Sequence, residues 1–268
     1  MGEPMVKVEN LNKFYPPRRG FWGRSGDGVR ALDNVNLSIR PGEIFGLVGQ
    51  SGSGKTTLGR LLVKLEEPSS GEIHLGGQSI TSLKGKALKA FRSRAQMIFQ
   101  DPYQSLNPHL SIAETLLEPL IVHGRWDGGQ RREKVLHTLE VVGLKPALDY
   151  YHRYPHQLSG GQRQRVAVAR AIVLEPEFVV ADEPTSMLDA TIAIQLFHLL
   201  SRIRGDYGVT FLFITHNLAA AKYLCDGIAV IRDGKIIEQG RAQEVIQNPR
   251  HPYTKKLIQV QPGFKFSQ

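Results

Sequence analysis

The stretch that decides the fold is "PGEIFGLVGQSGSGKTTLGRLLVKL", residues 41–65. It begins with a Pro-Gly turn, continues as a short apolar run at 44–48, passes through a glycine-rich loop and ends with helical spacing. We therefore predict a strand, a loop and a helix. The loop at 49–56 has glycines at two fixed places followed by Lys55 and a hydroxyl residue, which is the pattern of a phosphate-binding loop.

The chemistry of such a loop predicts nucleotide binding. Its N–H groups surround a β-phosphate, Lys55 neutralises β- and γ-phosphate charge, and the Thr56 hydroxyl is offered to Mg²⁺. The predicted nucleotide-binding residues of the loop are Gly49, Gln50, Ser51, Gly52, Ser53, Gly54, Lys55, Thr56 and Thr57.

Two later apolar runs, "FVVAD" from Phe178 and "VTFLFITH" from Val209, are predicted to be buried parallel strands. The first ends in Asp182 and Glu183, at the carboxyl end of a strand, where open α/β sheets bind ligands. We predict that Asp182 holds a magnesium shell and that Glu183 orients or deprotonates an attacking water. The alternative is an acidic pair that caps a helix.

Three further features each allow two interpretations. His216 closes the second of these strands and is either catalytic or structural, and Gln100 in "MIFQDP" either holds a water or metal or caps a turn. The stretch "HQLSGGQRQR", residues 156–165, places two glycines before a predicted helix and therefore suits an anion. Alternatively, Ser159 is an N-cap that forms a capping box with Gln162.

The rest of the chain surrounds this core. The opening through "VRALDNVNLSI" alternates as half-buried antiparallel strands on either side of a turn-rich loop at 16–28. Residues 101–155 predict a helical lobe, "RDGK" predicts a hairpin turn at Asp233-Gly234, and 244–262 predicts a short helical appendage. The predicted class is α/β, with a phosphate-loop core, an N-terminal antiparallel β subdomain and an inserted α-helical subdomain.

Composition limits which partners and which cellular location the protein can have. The net charge of +9 fits nucleic acid, an anionic membrane surface or phosphate ligands, but the basic residues are dispersed and no zinc-finger or RNA-binding motif accompanies them. We therefore expect no nucleic-acid partner. Cys225 is the only cysteine, which allows no intrachain disulfide and indicates a reducing compartment and a buried thiol. No run approaches the roughly 18 apolar residues of a membrane span, and the first residues lack a signal-peptide core, so we expect a cytosolic location.

Together the motifs resemble the ATP-binding-cassette (ABC) ATPases. Six of them occur in the order of that family: "GQSGSGKT", "FQDP", "LSGGQ", "VVADEP", "SMLD" and "ITH". The resemblance implies a RecA-like core at 1–100 and 166–240, a helical subdomain at 101–165 and an extension at 241–268, all within one ATPase domain. It also implies ATP and Mg²⁺ as cofactors.

The same resemblance assigns roles to single residues. His216 contacts the γ-phosphate, Gln100 binds and senses magnesium, Asp189 lies at a dimer seam, and Tyr15, or its neighbour Phe14, stacks on adenine. Two chains pair head to tail, so that the "LSGGQ" turn of one covers the ATP on the loop of the other. The residues that act on the partner's ATP are Ser159, Gly160, Gly161 and Gln162.

Finer matches resemble the oligopeptide and dipeptide import branch, and within it the second of two ATPase types. They are "RRGFWGR", "QDPYQSLNPHLSI", "YPHQLSGGQRQRVAVARA" and "NPRHPYTKKLI", while "SMLDATIAIQ" departs from the branch's usual alanine and valine. This implies a related or identical second ATPase chain, two membrane permeases, an extracellular binding protein and a place on the cytoplasmic face of the membrane. Tyr103, Leu106 and Pro108 then either contact the permeases or pack within the lobe.

Several alternatives stay open at this level. The same role could serve nickel, glutathione or oligosaccharide, because such an ATPase does not touch its cargo. A non-transport cassette ATPase usually has a second cassette or a coiled coil, and this sequence has neither. A nucleotide kinase has no use for "LSGGQ", and a GTPase would need an Asn-Lys-x-Asp motif that is missing.

Overall fold

A computed structural model of the chain describes residues 2–17 and 28–259. The stretch "RRGFWGR" at 18–24, most of the turn-rich loop predicted at 16–28, and residues 260–268 lie outside this described part. Packing divides the chain into two units, one formed by Met1–Leu83 with Thr210–Gln268 and the other by Lys84–Val209.

The first unit combines an antiparallel sheet with a mainly parallel one. Its elements are β1 (Val6–Tyr15), β2 (Val29–Ile39), β3 (Ile44–Val48), α1 (Lys55–Leu62), β4 (Ser70–Leu75), β5 (Gln78–Ser79), β8 (Thr210–Thr215), α9 (Leu218–Leu224), β9 (Gly227–Arg232), β10 (Lys235–Arg241), α10 (Ala242–Gln247) and α11 (Pro252–Gln259). The antiparallel sheet has the order β2-β1-β4-β5, which confirms the predicted N-terminal strands. The other strands of this unit follow the order β10-β9-β3-β8.

Strand β3 is the centre of the first unit, and all five of its residues are buried. It pairs in parallel with β8 on one side and with β9 on the other. Cys225, which precedes β9, is buried as expected, and burial raises the pKa of its thiol far above the usual value. The predicted hairpin is confirmed: Asp233 and Gly234 have φ of 48° and 77°, the two left-handed residues that a tight turn between β9 and β10 requires.

The second unit contains most of the helices. Its elements are α2 (Gly85–Arg94), β6 (Ala95–Ile98), α3 (Pro102–Ser105), α4 (Ile112–His123), α5 (Gly128–Val141), α6 (Ala147–Tyr151), a 3₁₀ turn (Pro155–Gln157), α7 (Gly160–Ile172), β7 (Phe178–Asp182) and α8 (Ala190–Tyr207). Helices α3 to α6 occupy the predicted helical segment. Side-chain caps explain where they begin, because Ser111 and Asp127 each form a capping box at the start of α4 and α5. This unit also holds the parallel pair β6 and β7, and the finer division at 101 and 165 stays a prediction.

Candidate functional site

The phosphate loop connects β3 to α1, as the sequence predicts. Gly54 has φ of 104°, and a Cβ at this residue would lie 2.5 Å from the Ala31 carbonyl oxygen, so only glycine fits here. The Lys55 side chain is buried, and its Nζ donates to the carbonyl oxygens of Gly49 at 2.9 Å and Gln50 at 2.8 Å. The loop therefore curls around its own ammonium group.

The β9–β10 hairpin supports this loop from behind. The Gly234 N–H donates to the Ser53 carbonyl at 3.1 Å, while the Gly234 carbonyl accepts from the Asp33 N–H at 2.9 Å. A third bond, from the Ser53 N–H to the Gln50 carbonyl at 3.3 Å, closes the turn inside the loop. Thr56 and Thr57 follow in the first turn of α1 and are half-buried.

Tyr15, the predicted adenine-stacking residue, ends β1 and lies beside the start of α1. Its hydroxyl donates to the Glu66 carboxylate and is also hydrogen-bonded to Thr57. Burial and the Glu66 carboxylate raise the pKa of the Tyr15 phenol, and the Thr57 hydroxyl opposes them. The alternative, Phe14, is 46% exposed, and the choice between the two rings stays a prediction.

In the second unit, strand register brings Gln100 and Glu183 together. Strands β6 and β7 pair in parallel, with Ile98 opposite Ala181, so the residues two positions further on emerge side by side. The Gln100 Nε2 donates to the Glu183 Oε2 at 3.3 Å. An amide and a carboxylate that the sequence separates by 83 residues thus share one edge of the strand pair.

The two carboxylates after β7 differ in environment. Asp182 is the last residue of the strand and is only 3% exposed, whereas Glu183 is half-buried and has a left-handed backbone with φ of 43°. A non-glycine residue in this region costs about 1–3 kcal/mol, and such residues concentrate at functional sites. No helix of the described chain begins at this pair; Asp189 caps α8 instead, accepting from the Ile192 N–H at 2.9 Å. The helix-capping interpretation of Asp182 and Glu183 is therefore wrong.

His216 is exposed and comes directly after β8. The next helix, α9, is capped by the neighbouring Asn217, whose side-chain oxygen accepts from the N–H groups of Ala219 and Ala220. The helix start therefore does not depend on the imidazole. A contact of His216 with a γ-phosphate stays a prediction.

The "LSGGQ" turn begins α7 and forms the predicted capping box. The Ser159 Oγ accepts from the Gln162 N–H at 3.3 Å, and the Gln162 Oε1 accepts from the Ser159 N–H at 3.0 Å. The two glycines differ: a Cβ at Gly160 would meet open space, but one at Gly161 would lie 2.9 Å from Ile192 Cγ2 of α8. Sequence reasoning assigned Gly161 only to a partner's nucleotide and missed this close approach.

Helix α7 also holds α3 through two arginines two helical turns apart. The Arg163 guanidinium lies 4.1 Å from the centre of the Tyr103 ring, and the Arg170 Nη1 donates to the Ser105 carbonyl at 2.6 Å. Leu106 is 3% exposed, so for this residue the structure favours the second interpretation, packing within the unit. Tyr103, 59% exposed, and Pro108, also exposed, remain candidates for that contact.

The predicted magnesium ligands supply oxygen donors: the hydroxyl of Thr56, the amide of Gln100 and the carboxylate of Asp182. Oxygen donors with few carboxylates suit Mg²⁺, which keeps waters and substrate phosphates in its shell. Within residues 2–17 and 28–259 no group of three or more His, Cys, Asp or Glu side chains could hold a metal ion. A dedicated transition-metal cage is therefore not part of the described structure.

A strand that leads into a glycine-rich loop closed on a buried lysine, together with a strand that ends in carboxylates, defines a phosphate-loop nucleotide-binding protein. The family model "ABC transporter" matches residues 32–186, and a second, "Oligopeptide/dipeptide transporter, C-terminal region", matches residues 237–268. The chain belongs to the ABC transporter family and is an ATP-hydrolysing cassette.

Curated relatives agree with this assignment. The chain is 40% identical to the dipeptide transport ATP-binding protein DppF of Haemophilus influenzae, over 97% of this chain and 78% of the relative. It is 48% identical to the oligopeptide transport ATP-binding protein OppF of Streptococcus mutans, over 96% and 82%. The glutathione import ATP-binding protein GsiA of Escherichia coli is 44% identical over 97% of this chain, which spans 42% of that longer protein.

Solved structures confirm the fold. The ATP-binding cassette MJ0796, in a dimeric post-hydrolysis state bound to ADP and Pi, gives a TM-score of 0.78 at 32% identity, over 89% of this chain and 99% of that one. The protein cbiO1 of Clostridium perfringens, part of the ABC transporter complex cbiONQ, gives 0.77 at 28% identity, over 97% and 100%. None of the helices in the described residues has the length and apolar character to cross a membrane.

Proposed function

We propose that this ATPase energises an importer of dipeptides or oligopeptides. The observation that carries the hydrolytic part of the proposal is the Gln100–Glu183 pair beyond β6 and β7, because it presents a held carboxylate of the kind that activates a water. The import role is supported by DppF and OppF and by the match to the C-terminal region at 237–268. Its place would be peripheral, on the cytoplasmic face of a membrane.

ATP binding would use the loop at 49–57, with Tyr15 stacked on adenine. The Lys55 ammonium now satisfies two carbonyl oxygens of its own loop, so phosphate oxygens would replace these neutral acceptors with charged ones. Thr56, Gln100 and Asp182 are the residues that would hold Mg²⁺. When bound, the ion neutralises charge that develops on the phosphates.

Hydrolysis would then use this chain's own groups. The oxygen of a water attacks the γ-phosphorus, the Glu183 carboxylate takes the proton, and the bond to the β–γ bridging oxygen breaks to give ADP and phosphate. Gln100 would hold the Glu183 carboxylate in place, and His216 would contact the γ-phosphate. The strained backbone of Glu183 is consistent with a side chain kept in one orientation.

We also propose that two cassettes share each ATP, with Ser159, Gly160, Gly161 and Gln162 of one chain acting on the nucleotide of the other and Asp189 at the seam. The partially positive start of α7 suits a phosphate, and the solved MJ0796 cassette is dimeric. The second cassette would be this chain or a related one. The remaining partners would be two permeases and, indirectly, an extracellular binding protein, and not nucleic acid.

The catalytic part is tested with Glu183→Gln. Phosphate release should fall by about a hundredfold to ten-thousandfold, because the water loses its base. Binding of a fluorescent ATP analogue should stay within about twofold, because the loop that holds the phosphates is unchanged. Glu133→Gln, on the exposed face of α5, is the matched control. Turnover in Glu183→Gln equal to that of the control would contradict this role of Glu183.

The pairing is tested on a sizing column with the slowly hydrolysing Glu183→Gln protein and ATP. We expect a dimer that forms only with nucleotide and that Ser159→Arg abolishes. Leu148→Arg adds the same charge on α6, where the side chain is 57% exposed, and should leave the dimer intact. A dimer equally stable with both arginines would argue against the shared site.

The transported solute is tested with the chain purified together with its membrane partners. Stimulation of ATP turnover by di- or oligopeptides in the presence of the binding protein supports the proposed cargo. The similarity to GsiA makes glutathione the second candidate. Stimulation by glutathione, nickel or an oligosaccharide alone would replace the peptide assignment, and stimulation by nucleic acid alone would refute the importer role.

A further inference from the structure

Helix α11, which lies in the C-terminal region matched at 237–268, is tied to strand β10 by a carboxylate. The Glu238 Oε1 accepts from the Arg250 N–H at 2.7 Å, and its Oε2 accepts from the His251 N–H at 3.1 Å, immediately before the helix begins. Burial raises the pKa of the Glu238 carboxyl, but hydrogen bonds, the strongest from the Arg250 N–H, outweigh it and hold the pKa below its usual value. The start of α11 is therefore held by charge-assisted hydrogen bonds, which are the stronger kind.

A second contact joins α11 to the turn of the β9–β10 hairpin. The Arg232 guanidinium, at the end of β9, lies 4.8 Å from the centre of the Tyr253 ring, which is a cation–π distance. The Arg232 Nε also donates to the Asp233 Oδ2 at 3.1 Å. Asp233 is the first of the two left-handed residues of the turn. One guanidinium therefore bridges an aromatic ring of α11 and the turn itself.

The next residue of that turn contacts the phosphate loop. The Gly234 N–H donates to the Ser53 carbonyl at 3.1 Å, and a Cβ at Gly54 would lie 3.6 Å from the Gly234 Cα. These two loop residues immediately precede Lys55, so a displacement of the turn would displace the backbone that positions the lysine. Three consecutive residues, 232–234, thus connect α11 to the loop.

Helix α11 is itself packed on the first unit. Its Thr254, Leu257 and Ile258 side chains are at most 5% exposed. Tyr253 and Leu257 line a cavity of about 330 Å³ together with the loop tip at 50–53. The helix and the loop tip therefore face each other across open space, and the hairpin contacts bridge it.

We propose that Tyr253 and Glu238 are positioning residues for the phosphate loop, because they hold α11 against the hairpin that holds the Ser53 carbonyl. They act through the hairpin and not by contact with the nucleotide. Since the loop at 49–57 binds ATP in the proposed function, on which this step rests, docking of α11 should raise the affinity for nucleotide by pre-organising the loop. By thermodynamic reciprocity, a nucleotide on the loop should stabilise the docked helix by the same factor.

Hydrogen exchange of the full chain with and without ADP tests this coupling. Saturating ADP should slow exchange at the amides of Arg250, His251 and α11 by about twofold to fivefold, the factor that corresponds to one exposed cation–π contact. Helix α10, which contacts α9 and β10, should exchange at the same rate in both samples. Protection of the loop at 49–57 without α11, or equal slowing in α10 and α11, would overturn the proposal and leave the nucleotide site standing. No protection of the loop and no binding of ADP would refute the proposed nucleotide site, and this coupling with it.

Variants of Tyr253 test the ring contact by titration calorimetry with ADP. Tyr253→Leu removes the ring beside Arg232 and should weaken ADP binding by about twofold to fivefold. Tyr253→Phe keeps the ring and should restore the affinity of the unmodified chain. Tyr223→Leu changes a tyrosine of α9 that is 59% exposed and should leave the affinity unchanged. Equal affinities of the Tyr253→Leu and Tyr253→Phe proteins, both shown by thermal melting to be folded, would overturn the role of Tyr253.

Glu238→Gln tests the other end of the connection, because it replaces one of the two acceptor oxygens with a donor that faces a backbone N–H. ADP binding should weaken by at least about twofold, since a charge-assisted hydrogen bond is lost. Glu244→Gln makes the same change on the exposed face of α10 and should leave the affinity unchanged. Equal affinities of these two variants would overturn the role of Glu238.

Discussion

Replacement of Gly161 by alanine should destabilise the protein, although alanine is the better helix former. The added Cβ would lie 2.9 Å from Ile192 Cγ2, inside the roughly 3.5–4.0 Å at which two carbon atoms attract. Overpacking of this kind costs about 1–3 kcal/mol, and the gain in helix propensity returns up to about 1 kcal/mol. Gly160→Ala brings the same gain into open space. The free energies of unfolding of the two variants should therefore differ by about 1–3 kcal/mol.

Urea unfolding of the full chain, followed by circular dichroism and fluorescence together, measures this difference. The Ile192→Ala background supplies the decisive comparison, because it removes the Cγ2 atom that the new methyl group would strike. There, Gly161→Ala should resemble Gly160→Ala, and the double-mutant cycle should give a coupling close to the whole overpacking cost. Equal stabilities for Gly160→Ala and Gly161→Ala in the unmodified background would refute the close approach of α7 and α8.

Three other predictions concern hydrogen bonds and the adenine contact. Arg170→Met leaves the Ser105 carbonyl without its donor at 2.6 Å and should lower the free energy of unfolding by about 1–3 kcal/mol in urea titrations. Hydrogen bonds from Arg94 hold the pKa of Glu177 below its usual value. This ion pair therefore stabilises the fold at neutral pH, and the stabilisation is lost as the pH falls through the lowered pKa. Glu177→Gln should reduce the acid dependence of the free energy of unfolding by less than about 1 kcal/mol, because the Glu177 side chain is 43% exposed. Tyr15→Phe should leave ATP affinity within about twofold in a fluorescence titration, whereas Tyr15→Ala should weaken it by about 1–3 kcal/mol; equal effects would contradict stacking.

The elements that the sequence predicted are those with a strong local signal. Strands β3 and β7 are continuous apolar runs; β3 is followed by a glycine and β7 ends at a carboxylate. The apolar run predicts that the strand is buried, and the glycine or carboxylate predicts where it ends. The Asp233-Gly234 turn is equally local, because its residue types alone allow two consecutive left-handed conformations. Capping boxes such as Ser159 with Gln162 are three residues apart and can also be predicted from the sequence.

The features that sequence reasoning missed depend on distant residues. Strands β4 and β5 have six and two residues, and they are strands because β4 pairs with β1 and β5 pairs with β4. The fit of Gly161 against Ile192 joins the starts of two helices 31 residues apart, and neither residue signals it alone.

The pairing of β3 determines when the phosphate loop can reach its folded structure during synthesis. Both strands that pair with β3, namely β8 and β9, lie beyond residue 209. During synthesis, the strand that leads into the phosphate loop therefore has no pairing partner on either edge until these residues have been made. The first unit joins residues 1–83 to residues 210–268, so its second half is synthesised only after the whole of Lys84–Val209. Nascent chains that stop short of the Asp233-Gly234 turn should therefore carry the entire loop sequence and still be unable to retain a nucleotide.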